Sequence, residues 1–171
     1  MNDEIERYKE ILNNDPRDLN TWINLGYAYY KEKQFAKAIK AYKKALDLNP
    51  NNATMWHNLG FIYYELEDYT NAVKSLKRAI EINPKLAISY SELSSIYIDM
   101  NKFDKSIRAA KKALELNPSD TDALTNLGSS YYNQKQYDKA IKAFKKALKI
   151  DPTLSFAKKI LELAKKSKNN S

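Results

Sequence analysis

Residues Ala38–Pro50 read AIKAYKKALDLNP, and residues Ala140–Pro152 read AIKAFKKALKIDP. Nearly the same thirteen residues therefore recur 102 positions further on. The ending also recurs by itself. All five prolines, Pro16, Pro50, Pro84, Pro118 and Pro152, follow an Asn or Asp and stand 34 residues apart. A fixed period of this size marks a stacked array, in which each repeat is one supersecondary unit that buries its apolar face only against its neighbours.

Aligned on the prolines, the chain gives four full units, 19–52, 53–86, 87–120 and 121–154. A half-unit or capping helix precedes them over 1–18, and a capping helix and tail follow over 155–171. In the first unit, TWINLGYAYYKEK carries Trp22, Leu25, Gly26 and Tyr29 at helical spacing. FAKAIKAYKKALDL carries Ala38, Ile39, Tyr42, Ala45 and Leu46 in the same way, so each unit is predicted to be two amphipathic helices. Short polar links such as Glu32 to Gln34 join them. Asp18, Asn52 and Asp120 occupy N-cap positions, while Asn49, Asn83 and Asn117 each precede a proline that the helix cannot include.

The three glycines, Gly26, Gly60 and Gly128, all fall inside predicted helices, where each costs about 1 kcal/mol relative to alanine. A cost repeated in register implies a contact that offsets it. The expected contact is close approach of the two helices of one unit, with Ala38, Ala72 and Ala140 as small partners. Trp22, Trp56, Tyr29, Tyr63 and Tyr131 are expected to fill the space between units.

With these residues in place, the chain resembles the tetratricopeptide repeat (TPR) family, whose 34-residue frame carries W-x2-L-G-x2-Y, then A, an aromatic, A and P. Unit one matches at Trp22, Leu25, Gly26, Tyr29, Ala38, Tyr42, Ala45 and Pro50. Unit two matches with Leu76 for the later aromatic, and unit four with Leu124 for the tryptophan. Unit three departs most: Ser94 replaces glycine, Ser106 replaces alanine and Ala110 replaces the aromatic, which predicts a soft point there. The resemblance implies an all-α, right-handed superhelical solenoid of antiparallel helix pairs. Glu162 stands where a first helix would have its glycine, and Phe156, Ile160 and Leu163 are predicted as the apolar face with which the last helix covers unit four.

The resemblance further implies that first helices line a concave, peptide-binding groove. Projected away from the core, the groove residues are Asn24, Tyr27, Tyr30, Lys31, His57, Asn58, Phe61, Tyr64, Glu65, Ser91, Glu92, Ser95, Asp99, Asp122, Thr125, Asn126, Ser129, Tyr132 and Asn133. Its first half is aromatic, and its second half is small, polar and acidic. Most cations, from Lys37, Lys40, Lys43 and Lys44 to Lys142, Lys145, Lys146 and Lys149, belong to second helices, so the net charge of +8 is assigned to a solvated back. Nucleic-acid or anionic-membrane binding through that back is the weakest reading.

TPR domains that hold the acidic tails of Hsp70 or Hsp90 use a carboxylate clamp of lysine, asparagine and arginine. The clamp lysine would stand where this chain has Ile23, His57, Ser91 or Thr125, and its first asparagine where it has Tyr27, Phe61, Ser95 or Ser129. Both are missing, and Glu65, Glu92, Asp99 and Asp122 would repel an anionic tail. Asn24, Asn58 and Asn126 match the second asparagine but also fit the plain repeat pattern.

Other classes find little support. His57 is the only histidine and cysteine is absent, leaving no histidine pair for a metal and no Cys-His dyad. Neither an enzyme activity nor a cofactor is expected. No apolar run approaches the roughly 20 residues of a membrane span, and the charged start lacks the apolar stretch of a signal peptide, which sets a cytoplasmic location as the expectation. The reading is a scaffold or adaptor that binds a peptide segment of a partner protein. Self-association as a structural assembly module is the alternative.

Overall fold

The computed structural model describes residues 2–169. Among them lie ten helices and no strand: α1 (Asn2–Asn14), α2 (Leu19–Lys31), α3 (Phe35–Leu48), α4 (Ala53–Glu65), α5 (Tyr69–Ile82), α6 (Ala87–Asp99), α7 (Phe103–Leu116), α8 (Thr121–Asn133), α9 (Tyr137–Ile150) and α10 (Ser155–Asn169). They form two compact units, Met1–Pro84 and Lys85–Ser171. The first holds α1 to α5 and the second α6 to α10.

Within each pair the first helix ends in the same way. At the end of α2 the amide of Gln34 donates to the carbonyl of Tyr29 and that of Lys33 to Tyr30, a Schellman closure. The left-handed residue that this closure requires is Lys33, and in the other three pairs Glu67, Asn101 and Lys135, with φ between 55° and 60°. The chain reverses within three residues at each of these links.

The starts of the first helices differ. Asp18, Asn52 and Asp120 accept the amides of Thr21, Met55 and Ala123, as the sequence suggests, whereas Leu86 before α6 makes no side-chain cap. Asp68 also caps α5 by accepting from Asn71. The Asx-Pro stops are bonded turns as well. Asn49, Asn117 and Asp151 each accept the amide two residues on, bridging the proline. Trp22 and Trp56 have a task beyond filling space: each indole N–H donates to a proline carbonyl six residues back, Pro16 and Pro50, at 2.9 Å.

The glycines face different partners from those expected. A Cβ on Gly26 would lie 3.1 Å from the Tyr42 ring, one on Gly60 2.7 Å from Leu76, and one on Gly128 2.8 Å from the Phe144 ring. The large side chain in the middle of the second helix thus lies nearest the bare backbone, and at Gly60 the Ala72 carbonyl also approaches, to 3.2 Å. Tyr42, Leu76 and Phe144 are almost wholly buried as a result. Where α6 meets α7 the exchange is reciprocal. Ser94 stands in place of the glycine and Ala110 in place of the large residue, and the fully buried Ser94, Ser106 and Ser130 hydroxyls join in a chain at 3.0 and 2.7 Å.

The last helix corrects the sequence reading. α10 packs through Ala157, Leu161 and Ala164, with Ile160 at the margin, while Phe156 is 55% and Leu163 39% exposed. Alanines on the inner side let α10 sit close to α9, and the larger residues are turned outward.

Candidate functional site

On the first-helix face of the first unit, the spacing of Tyr27, Tyr30 and Phe61 on α2 and α4 brings three rings together. Tyr30 stands 6.4 Å from Tyr27 and meets Phe61 edge-on at 5.8 Å, an arrangement that the ring quadrupoles favour. Phe35, at the start of α3, supports Tyr30 from behind at 6.2 Å. Between these rings lies a cleft of about 100 Å³, with Tyr42, Asn58 and Ile62 also in its lining. Tyr27 is 54% exposed, so its ring is available as a contact surface. Burial pushes the Tyr42 phenol up to about 12, and it accepts a long hydrogen bond of 3.5 Å from the Asn58 amide.

The other predicted groove residues of this unit are spread around the cluster. Asn24 and Lys31 line a separate cleft of about 210 Å³ beside Glu4 and Tyr8, and the Lys31 ammonium lies 5.7 Å from the Tyr27 ring centroid. Tyr64 pairs with Tyr69 at 6.1 Å, and Glu65 is exposed. His57 is half-buried, and that burial lowers its pKa, so it is neutral at pH 7.

The second unit presents a different face. A cleft of about 500 Å³ lies along α6 and α8, lined by Ser91, Glu92, Ser95, Asp122 and Asn126 among others. Its floor is built from hydrogen bonds: the Asn126 amide donates to the Ser91 carbonyl at 3.4 Å, and the Ser91 hydroxyl reaches Asp120 at 3.5 Å. Ser91 and Ser129 are buried, and Ser129 turns back to the Thr125 carbonyl, so these two shape the surface without offering themselves to a ligand. Asn133 is likewise tied to Ser129, and Tyr132 to the Tyr137 ring at 5.8 Å. Asp99 is exposed beyond the cleft and does not line it. Sequence reasoning missed Ile88, which is 52% exposed at the cleft wall; it stands 34 residues before Asp122, and that shared register was the available signal.

Among the described residues, no group of three or more His, Cys, Asp or Glu is placed to hold a metal ion, and no helix is long and apolar enough to cross a membrane.

Helix pairs closed by glycine against a large second-helix side chain, with caps and stops on a 34-residue period, define a tetratricopeptide repeat protein, a class of protein-interaction scaffolds. The chain belongs to the family of the cilia and flagella-associated protein 70 C-terminal domain, which matches residues 2–170. Among solved structures it resembles MamA, at 31% identity over 86% of each chain and a TM-score of 0.82. It also resembles YrrB, described as a TPR protein with an unusual peptide-binding site, at 23% identity over 94% of this chain and 84% of that one, with a TM-score of 0.81. No curated protein sequence matches the chain.

Proposed function

We propose that this chain binds a segment of a partner protein on its first-helix faces and acts as an adaptor or scaffold rather than as a catalyst. The observation that carries the reading is the Tyr27, Tyr30 and Phe61 cluster, a partly exposed aromatic patch around an open cleft. Broad, stiff aromatic surfaces at low entropic cost are the usual anchors of peptide interfaces. The YrrB description gives the same use to a protein of this fold.

The two units favour different ligand chemistries. An apolar or aromatic side chain fits the cluster of the first unit. A lysine or arginine fits the polar cleft of the second, where Glu92 and Asp122 supply negative charge. Neither cleft suits an acidic chaperone tail.

Affinity capture followed by titration tests this. Phe61→Ala with Tyr64→Ala should cost a captured partner at least about 2 kcal/mol while the helical signal is retained. Glu92→Lys with Asp122→Lys should weaken binding and flatten its salt dependence. A partner that binds both double variants as tightly as the parent would remove these faces from consideration. Light scattering decides the self-assembly alternative.

A further inference from the structure

The net charge is not spread over the molecule. Met1–Pro84 contains twelve basic and twelve acidic residues and is neutral. All of the +8 belongs to Lys85–Ser171, and within it residues 137–169 hold ten lysines against Asp138, Asp151 and Glu162, a net +7. These residues are α9, α10 and the turn between them. Nine of the ten lysines are exposed. Two of the three carboxylates are already engaged, Asp138 with Lys168 at 2.5 Å and Glu162 with Lys165 at 2.6 Å.

The same helices carry three of the large apolar side chains exposed on this chain: Ile150 at 46%, Phe156 at 55% and Leu163 at 39%. On α10, Phe156, Ile160 and Leu163 recur at helical spacing along one side, and Lys159 and Lys166 recur beside them. An apolar stripe with lysines along its free edge, on a helix whose adjoining side is held by Ala157, Leu161 and Ala164, has the make-up of a helix that lies in a membrane interface. We propose that the α9–α10 end docks on an anionic lipid surface, with Phe156 and Leu163 entering the headgroup region and the lysines drawn to the lipid charge. This surface shares no residue with the clefts of the proposed function and does not depend on that reading.

Charge complementarity and chemistry favour this occupant over two others. A nucleic-acid face gains from arginine forks, yet all ten cations here are lysines, and exposed Phe and Leu add nothing to phosphate contact. A second copy stacked as a further repeat would need close approach at the glycine position of α10, where Glu162 stands. At Gly26, Gly60 and Gly128, the same position in three of the other first helices, a single added Cβ already falls 2.7 to 3.1 Å from its neighbour.

Vesicle flotation tests the proposal. The full chain should float with phosphatidylcholine vesicles containing about 30% phosphatidylserine, stay down with phosphatidylcholine alone, and be released by about 0.5 M salt. Phe156→Ala with Leu163→Ala, and separately Lys159→Gln with Lys166→Gln, should each lower vesicle binding about tenfold or more with circular dichroism unchanged. The chain has no cysteine, so Leu163→Cys accepts a single environment-sensitive dye, whose emission should shift to the blue on phosphatidylserine vesicles. Three results would overturn the proposal: no flotation at low salt, flotation with an unshifted dye and no loss in the Phe156/Leu163 variant, or binding to duplex DNA as tight as to vesicles. Light scattering that showed the apolar pair holding two copies together would reassign the stripe to self-association.

Discussion

Two neighbouring helix pairs solve the same packing problem in different ways. Between α4 and α5, Gly60 lets Leu76 close onto bare helix backbone, and both helices begin on a side-chain cap, Asn52 and Asp68. Between α6 and α7, the glycine is Ser94 and the large residue is Ala110, and neither Leu86 nor Lys102 makes a side-chain cap bond. The large side chain is gone, and shape complementarity has been replaced partly by the hydroxyl chain of Ser94, Ser106 and Ser130. The frame therefore admits two kinds of seam, a large side chain against a bare glycine or small residues joined by hydroxyl bonds. That distinction can be broken by substitution.

The largest effect is expected at the glycine seam. Gly60→Leu inserts a side chain where even Cβ would be 2.7 Å from Leu76 and 3.2 Å from a backbone carbonyl that cannot withdraw, so a loss of about 3 kcal/mol is expected in a denaturant titration. Gly60→Ser combined with Leu76→Ala recreates the α6–α7 pattern and should lose less than the two single changes lose together. Simple additivity of the two changes would show that the seam is not one coupled unit.

Next comes the hydroxyl chain. Ser106→Ala restores the residue that the other pairs have at this position, Ala38, Ala72 and Ala140, and sequence reasoning alone would favour it. The structure reverses the sign. Removing the middle hydroxyl leaves Ser94 and Ser130 without that partner in a fully buried site, which should cost about 1 to 2 kcal/mol. A variant as stable as the parent would mean that the serines contribute volume only.

A smaller gain is expected at the uncapped start of α7. Lys102 has φ −97° and ψ 61°, close to the −79° and 69° at which Asp68 caps α5, so the backbone is already set for a cap. Lys102→Asp should stabilise by about 0.5 to 1 kcal/mol and slow hydrogen exchange in the first turn of α7. An unchanged midpoint would locate the difference between the two pairs in the seam alone.

These pairs also show how far the sequence could be read. The helix pairs, their stops and three of the first-helix caps follow from the 34-residue period, because period, proline and Asx chemistry act locally. That Tyr27, Tyr30 and Phe61 stand on first helices also follows from the period, and their meeting as a ring cluster needed the structure. What contacts the glycines was not, since the alanines and the large residue lie on the same side of the second helix and only the crossing geometry selects between them. The outward turn of Phe156 and Leu163 was hidden likewise: both are apolar at helical spacing, and the sequence does not say that alanines would form the closer-packing side. The buried serine chain joins residues from three helices, a pairing that no local spacing reveals.

The finest comparison is between the two caps themselves, through pH. The Asp68 carboxylate accepts from the Asn71 side chain at 2.7 Å and from its amide at 3.1 Å, and these bonds hold its pKa below the ordinary carboxylate value. A folded-state pKa lower than the unfolded one gives stability that is present above the unfolded value and lost as pH falls through the folded value. Asp68→Asn retains an oxygen that can cap but carries no titrating charge. The stability difference between parent and variant should therefore hold steady near neutrality and shrink once the pH drops below about 4. Asp18, lowered by its bonds from Thr21, should behave in the same way at α2. At α7 the parent has no such carboxylate, so only the Lys102→Asp variant should acquire this acid-sensitive increment, measured as its midpoint minus that of the parent across the same pH range. If that increment does not depend on pH, the introduced aspartate is not capping the helix, and any stabilisation it brings comes from removing a cation at the N-terminus.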